Sequence, residues 1–63
     1  MNVVVNGEPR ELAAGSVVGD LLPAGSRGVA VAVNRTVVQR TEHATRVLVE
    51  GDRVEIVRAV QGG

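Results

Sequence analysis

The sequence predicts a two-layer α+β domain: a small mixed sheet packed on one short helix, with a flexible C-terminal diglycine tail. Three observations carry that expectation. Apolar residues alternate with a period of two near the start, the middle and the end of the chain, as they do in half-buried strands. Only Val17 to Leu22 places apolar residues at the i,i+4 spacing of an amphipathic helix. The final strand pattern then runs almost directly into Gly62-Gly63.

Met1 to Val5 reads as a strand with Met1, Val3 and Val5 on one face and Asn2 and Val4 on the other. Asn6-Gly7 follows at once, a pair suited to the two positive φ angles of a type I′ hairpin turn. The returning strand, about Arg10 to Leu12, begins near Pro9. A proline has no N–H to give a ladder, so this strand belongs at a sheet edge. Ala13-Ala14-Gly15 is a loop, and Ser16 is the expected N-cap of the helix. Val17 with Leu21 and Val18 with Leu22 give that helix its apolar face, and Asp20 sits near its positive end. Gly19 weakens it by about 1 kcal/mol relative to alanine, and Pro23 and Gly25 end it after about two turns.

Gly28 opens the next strand, in which Val29, Val31 and Val33 alternate with Ala30 and Ala32. Valines toward the helix and alanines outward suit a strand whose outer face lies close to another surface. Asn34-Arg35-Thr36 turns the chain into Val37-Val38, and Thr41 to Ala44 has the polar character of a single 3₁₀ turn. Val47 to Val49 is a short apolar run, and Glu50-Gly51-Asp52 a turn. The last strand spans Arg53 to Val60, with Val54 and Ile56 on one face and Glu55, Val57 and Ala59 on the other. A right-handed crossover through the helix lets the first and last strands lie side by side and parallel at the sheet centre. That arrangement is a β-grasp fold, with residues 1–60 as the domain and 61–63 as its tail.

Composition removes several classes of function. At 63 residues the chain buries only ~60% of the surface its unfolded form exposes, with no cysteine available to staple it. The absence of Phe, Tyr and Trp excludes stacking on bases or sugars. Seven arginines against seven acids, with no lysine, argue against a nucleic-acid partner. His43 is the only histidine, and without a second ligand it reads as a solvated turn residue rather than a metal site. The longest apolar run, Val29 to Val33, is far short of the ~20 residues that span a bilayer, and no signal-peptide pattern follows Met1. A soluble, cytoplasmic protein without a membrane partner is expected.

No constellation for catalysis is present, which leaves the diglycine. Glycine has no side chain to pack and loses more backbone freedom on ordering than any other residue. The dipeptide alone also fits a frayed terminus; the long strand leading into it points instead to a held, exposed end. A diglycine passes through a channel too narrow for any Cβ and delivers a free carboxylate.

On these residues the chain resembles the sulfur carrier proteins of thiamine biosynthesis, bacterial relatives of ubiquitin. The likeness covers essentially the whole chain. It rests on Val3 to Asn6, on Ala13-Ala14-Gly15 before Val17 and Leu21-Leu22, and on Val31-Ala32-Val33-Asn34. It continues through Val38-Gln39-Arg40, where the family usually has Val-Pro-Arg, and Gly51-Asp52 before Val54-Glu55-Ile56-Val57. Ala59-Val60-Gln61-Gly62-Gly63 closes it and is the most specific part. His43 departs from the pattern, standing where an aromatic is common, and the loop after Leu22 is short.

The resemblance implies a carrier rather than an enzyme. An E1-like adenylyltransferase would use MgATP to adenylate the Gly63 carboxylate. Sulfur originating in a cysteine desulfurase would convert it to a thiocarboxylate, and thiazole synthase would take up that sulfur. This chain itself would bind no cofactor. Gly63 would carry the sulfur, while Gly62 and Gln61 thread the partner's channel. Docking is expected on the outward sheet face through Val4 and Val57, with Glu55 and Arg58 orienting the partner at its rim. Rival readings are the small subunit of molybdopterin synthase, which is typically longer with aromatics and prolines before its diglycine, and a carrier for another sulfur-containing metabolite. A ubiquitin-like protein modifier and a non-covalent β-grasp interaction module are rivals of a different class.

Overall fold

The computed structural model describes residues 1–23 and 28–58. Strands β1 (Asn2–Val5) and β2 (Glu8–Glu11) form the first hairpin, and β3 (Val29–Val33) and β4 (Thr36–Val38) the second. Strand β5 (Arg53–Arg58) joins them into one sheet of order β2-β1-β5-β3-β4. It runs parallel to β1 and antiparallel to β3, so the chain's first and last strands meet at the centre as expected. In the parallel ladder the Val4 N–H donates to the Asp52 carbonyl and the Asn6 N–H to the Val54 carbonyl, each at 2.9 Å. The first hairpin turns at Asn6-Gly7, with φ of 50° and 82°, and β2 lies at the edge that Pro9 requires. The returning strand starts two residues earlier than its pattern suggests, because Glu8 already pairs with Val5.

The alternation of apolar residues is the alternation of the faces. Val3, Val5, Val31, Val33, Val38 and Val54 are buried on the inner side and meet Val18 and Leu48. With no aromatic ring available, the core is built from these short side chains, each worth roughly 1.5–3 kcal/mol when fully buried. Met1, Leu12, Leu21, Leu22, Val29 and Ile56 pack around them.

The second layer differs from expectation. Instead of a two-turn α-helix, the Val17–Leu22 stretch forms one 3₁₀ turn, Val18–Leu21. Asp20 N–H to the Val17 carbonyl and Leu22 N–H to the Gly19 carbonyl close the turn at 3.0 and 3.1 Å, while its first two donors are taken across the chain. The Val18 N–H donates to the Arg46 carbonyl at 3.0 Å, Gly19 N–H to the His43 carbonyl at 2.7 Å, and Leu48 N–H to Ser16 at 2.9 Å. Val17 and Val47 also form an isolated antiparallel bridge. Gly19 permits this approach, since a Cβ there would stand 3.2 Å from the His43 carbonyl oxygen. Ser16 is not the cap: its hydroxyl donates to the Ala13 carbonyl at 2.7 Å. The cap falls one residue later, where the Asp20 carboxylate accepts the Val17 N–H at 2.9 Å. Leu22 is already extended (φ −103°, ψ 138°), as the residue before Pro23 tends to be. Gly25 lies outside the described residues.

The cover is therefore two crossing segments, 16–22 and 43–48, knitted by backbone hydrogen bonds. A second 3₁₀ turn, Arg40–Glu42, falls close to the predicted position. His43 follows it half-buried, with Nε2 3.1 Å from the Val38 carbonyl, so it is not the solvated residue expected. Among the described residues no helix is long and apolar enough to cross a membrane.

Candidate partner-docking face

Strand β5 leads toward the diglycine, and its position is set from both flanks. Asn6, in the first hairpin turn, accepts the Ile56 N–H through Oδ1 at 2.8 Å and donates from Nδ2 to the Ile56 carbonyl at 3.3 Å. Asn34, in the second hairpin turn, accepts the Arg53 N–H at 3.0 Å and donates its backbone N–H to the Arg53 carbonyl at 2.7 Å. Two side-chain amides thus extend the ladders past the points where β1 and β3 turn away. Asn34 Nδ2 also donates to Asp52 Oδ1 at 3.0 Å, and Asp52 Oδ2 accepts the Val49 N–H at 2.9 Å. Asp52 is the one charged residue buried among those described, and the Val49, Asn34 and Asp52 groups tie the entry to β5. Ala59, Val60 and the tail residues Gln61, Gly62 and Gly63 lie outside the described residues.

The outer side of the sheet carries the proposed docking residues. Val4 is half-buried there, Glu55 is exposed, and Val57 is 63% exposed. Val57 stands opposite Ala30, and Ala32 lies between Glu55 and Val37, which is 71% exposed. Directly paired side chains in a sheet lie ~5 Å apart at Cβ, so Val37, Ala32, Ala30 and Val57 form a continuous apolar platform. The two alanines keep it low, which admits a flat opposing surface. Grouped exposed apolar side chains of this kind mark interaction sites more often than single ones do.

Arg58 is not on that face. It shares the pleat of Val54 and Ile56 and stands opposite Val29, which packs against the core. The structure therefore brings together Val4, Glu55 and Val57 but leaves Arg58 at the end of the inner side. In its place stand two arginines not singled out from sequence. Arg53 shares the outward pleat of Glu55 and Val57 and lies opposite Val4. Arg35, in the β3–β4 turn, lines an open depression of about 490 Å³ together with Val4, Gly7, Asn34, Arg53 and Glu55. Period-two alternation along β5 was a signal sufficient to find Arg53. Nothing local in sequence marks Arg35. The face offers apolar contact and charge, with no nucleophile or proton-transfer pair among the residues named. It is suited to docking.

Comparison with known proteins agrees with this geometry. A model of the ThiS family matches residues 3–63. The chain is similar to the crystal structure of a thiamine biosynthesis protein (ThiS) from Geobacter metallireducens, with a TM-score of 0.82 and 32% sequence identity. That alignment covers 100% of both chains. No curated protein sequence matches.

Proposed function

The chain belongs to the ThiS family, and from that membership we propose that it is a sulfur carrier of thiamine biosynthesis whose working group is the carboxylate of Gly63. The observation that carries this reading is the family match itself, which continues through residue 63 and so includes the diglycine. In the proposed cycle a carboxylate oxygen of Gly63 attacks the α-phosphorus of MgATP on an E1-like adenylyltransferase, and pyrophosphate leaves. A persulfide charged by a cysteine desulfurase then attacks the acyl carbon and displaces AMP, giving an acyl disulfide. A thiol reductant cleaves its S–S bond, leaving the thiocarboxylate for thiazole synthase to consume.

Each step has a physical reason. A carboxylate is a poor electrophile, whereas its adenylate has a good leaving group, and the resulting thiocarboxylate is a nucleophile. The groups that stabilise charge during activation belong to the partner. This chain supplies a thin end that fits a narrow channel, with Gln61 and Gly62 passing through it, and a sheet face that positions that end. The apolar platform of Val57, Val37, Ala30 and Ala32, with Val4 nearby, would meet the activating enzyme.

ATP–pyrophosphate exchange with the cognate adenylating enzyme tests the reading. The full chain should support exchange. Deleting Gly63, or appending residues after it, should abolish exchange while leaving the circular dichroism spectrum unchanged. With a sulfur donor present, the intact mass should report one oxygen replaced by sulfur. Full exchange from an extended C-terminus would overturn the proposal.

A further inference from the structure

The acids and the arginines of this chain are used differently. Four carboxylates are engaged by backbone N–H groups: Glu50 by Asn2, Asp20 by Val17, Glu42 by Gln39, and Asp52 by Val49. Among the described residues, by contrast, no guanidinium makes an ion pair or a hydrogen bond. A chain that is formally neutral thus keeps several acids occupied internally while the arginines among the described residues remain available as donors.

Two of those arginines, Arg35 and Arg53, line one depression at the end of the apolar platform. Arg35 holds a backbone conformation with φ of 69°, in the left-handed region that glycine occupies without penalty. A residue kept at a conformational disadvantage while its side chain has no partner invites a functional explanation. Glu55 lines the same depression, which therefore carries two positive charges and one negative.

We infer that Arg35 and Arg53 form a carboxylate-reading clamp that engages acidic side chains on the protein docking against the outer sheet face. The planar guanidinium fork is suited to paired N–H···O contacts with a carboxylate. The adjoining Val4 and the Val57, Val37, Ala30 and Ala32 platform favours a protein surface over a nucleic acid, since apolar contact would accompany the charge. Glu55, between the clamp and the platform, would repel a carboxylate placed one strand position too far and so fix the register of docking. The inference rests on the carrier reading above, because it assigns the acidic surface to the adenylating enzyme.

The test is the dissociation constant of the full chain for the purified cognate adenylating enzyme, measured at low and moderate salt. Charge reversal in R35E/R53E should weaken binding by roughly tenfold or more and flatten its salt dependence. R10E/R46E makes the same change in net charge away from the depression and should alter binding less than about twofold under the same screening. Arg35→Gly should also weaken binding while leaving the melting temperature undiminished, which separates the clamp from a structural role. Binding of R35E/R53E equal to wild type would sink the clamp alone. So would an equal loss in R10E/R46E. Failure of the wild-type chain to bind or support exchange would sink the carrier reading and the clamp together.

Discussion

The two hairpin turns have nearly the same geometry and different chemistry. Each is a two-residue loop that opens with asparagine at almost identical φ, 50° for Asn6 and 51° for Asn34. Each asparagine then reaches across to the backbone of β5, at Ile56 on one side and at Arg53 on the other. The second residues part company: Gly7 at φ 82°, Arg35 at φ 69°. For an L-residue with a side chain the left-handed region costs roughly 1–2 kcal/mol, so the second turn accepts a penalty that the first avoids. A second difference lies behind the turns. The Asn34 side chain is backed by the buried Asp52, while the Asn6 side chain bonds to the Ile56 backbone alone. One turn is a plain reversal. The other is anchored below and charged above.

The anchoring should show first, because it has the largest effect. Asp52→Ala would leave the Val49 N–H and the Asn34 amide without their acceptors at a part-buried site. Each stranded donor costs about 1–3 kcal/mol, so chemical denaturation should show a loss of about 2–4 kcal/mol. Asn6→Ala removes two hydrogen bonds to Ile56 at an exposed position, where water replaces them. Together with the loss of a residue tolerant of positive φ, that should cost about 1–2 kcal/mol in the same assay. Equal losses in the two variants would mean that the turns are anchored alike, and the contrast would fail.

Much of this was legible in the chain itself, for identifiable reasons. Asn6-Gly7 specifies its turn by the φ angles it tolerates. Val3, Val5, Val31, Val33, Val54 and Ile56 specify the faces of their strands by spacing, because the pleat repeats every two residues. Pro9 marks an edge because it lacks a donor. The parallel central pair follows from chain order and handedness. The second layer was not legible, since the fate of the Val18 and Gly19 N–H groups is decided by residues 43–46, far away in sequence. The i,i+4 pairs in Val17–Leu22 report an apolar face truthfully without specifying a helix. The outer face was half legible: Val4, Glu55 and Val57 lie on the side where the pattern puts them, while Arg58 belongs by its own parity with Val54. The proposed clamp was hidden, because a guanidinium without a partner is a fact about three dimensions. So is the meeting of Arg35, in the second hairpin turn, with Arg53 on β5.

The smallest expected effect is the most informative about the turns, since it has opposite signs at the two places. No atom lies within 4 Å of a Cβ built on Gly7, so Gly7→Ala meets no steric obstacle and tests backbone preference without adding charge beside Arg35 and Arg53. The left-handed penalty of roughly 1–2 kcal/mol is partly offset, because a non-glycine residue narrows the unfolded ensemble by about 0.4–1 kcal/mol. A net loss of about 0.5–1 kcal/mol should result. Arg35→Gly reverses both contributions and should gain a similar amount. The melting temperatures of the two single variants should therefore move in opposite directions. If Arg35→Gly instead lowered stability, the arginine would be making an intramolecular contribution of its own, and its place in the turn would need no partner to explain it.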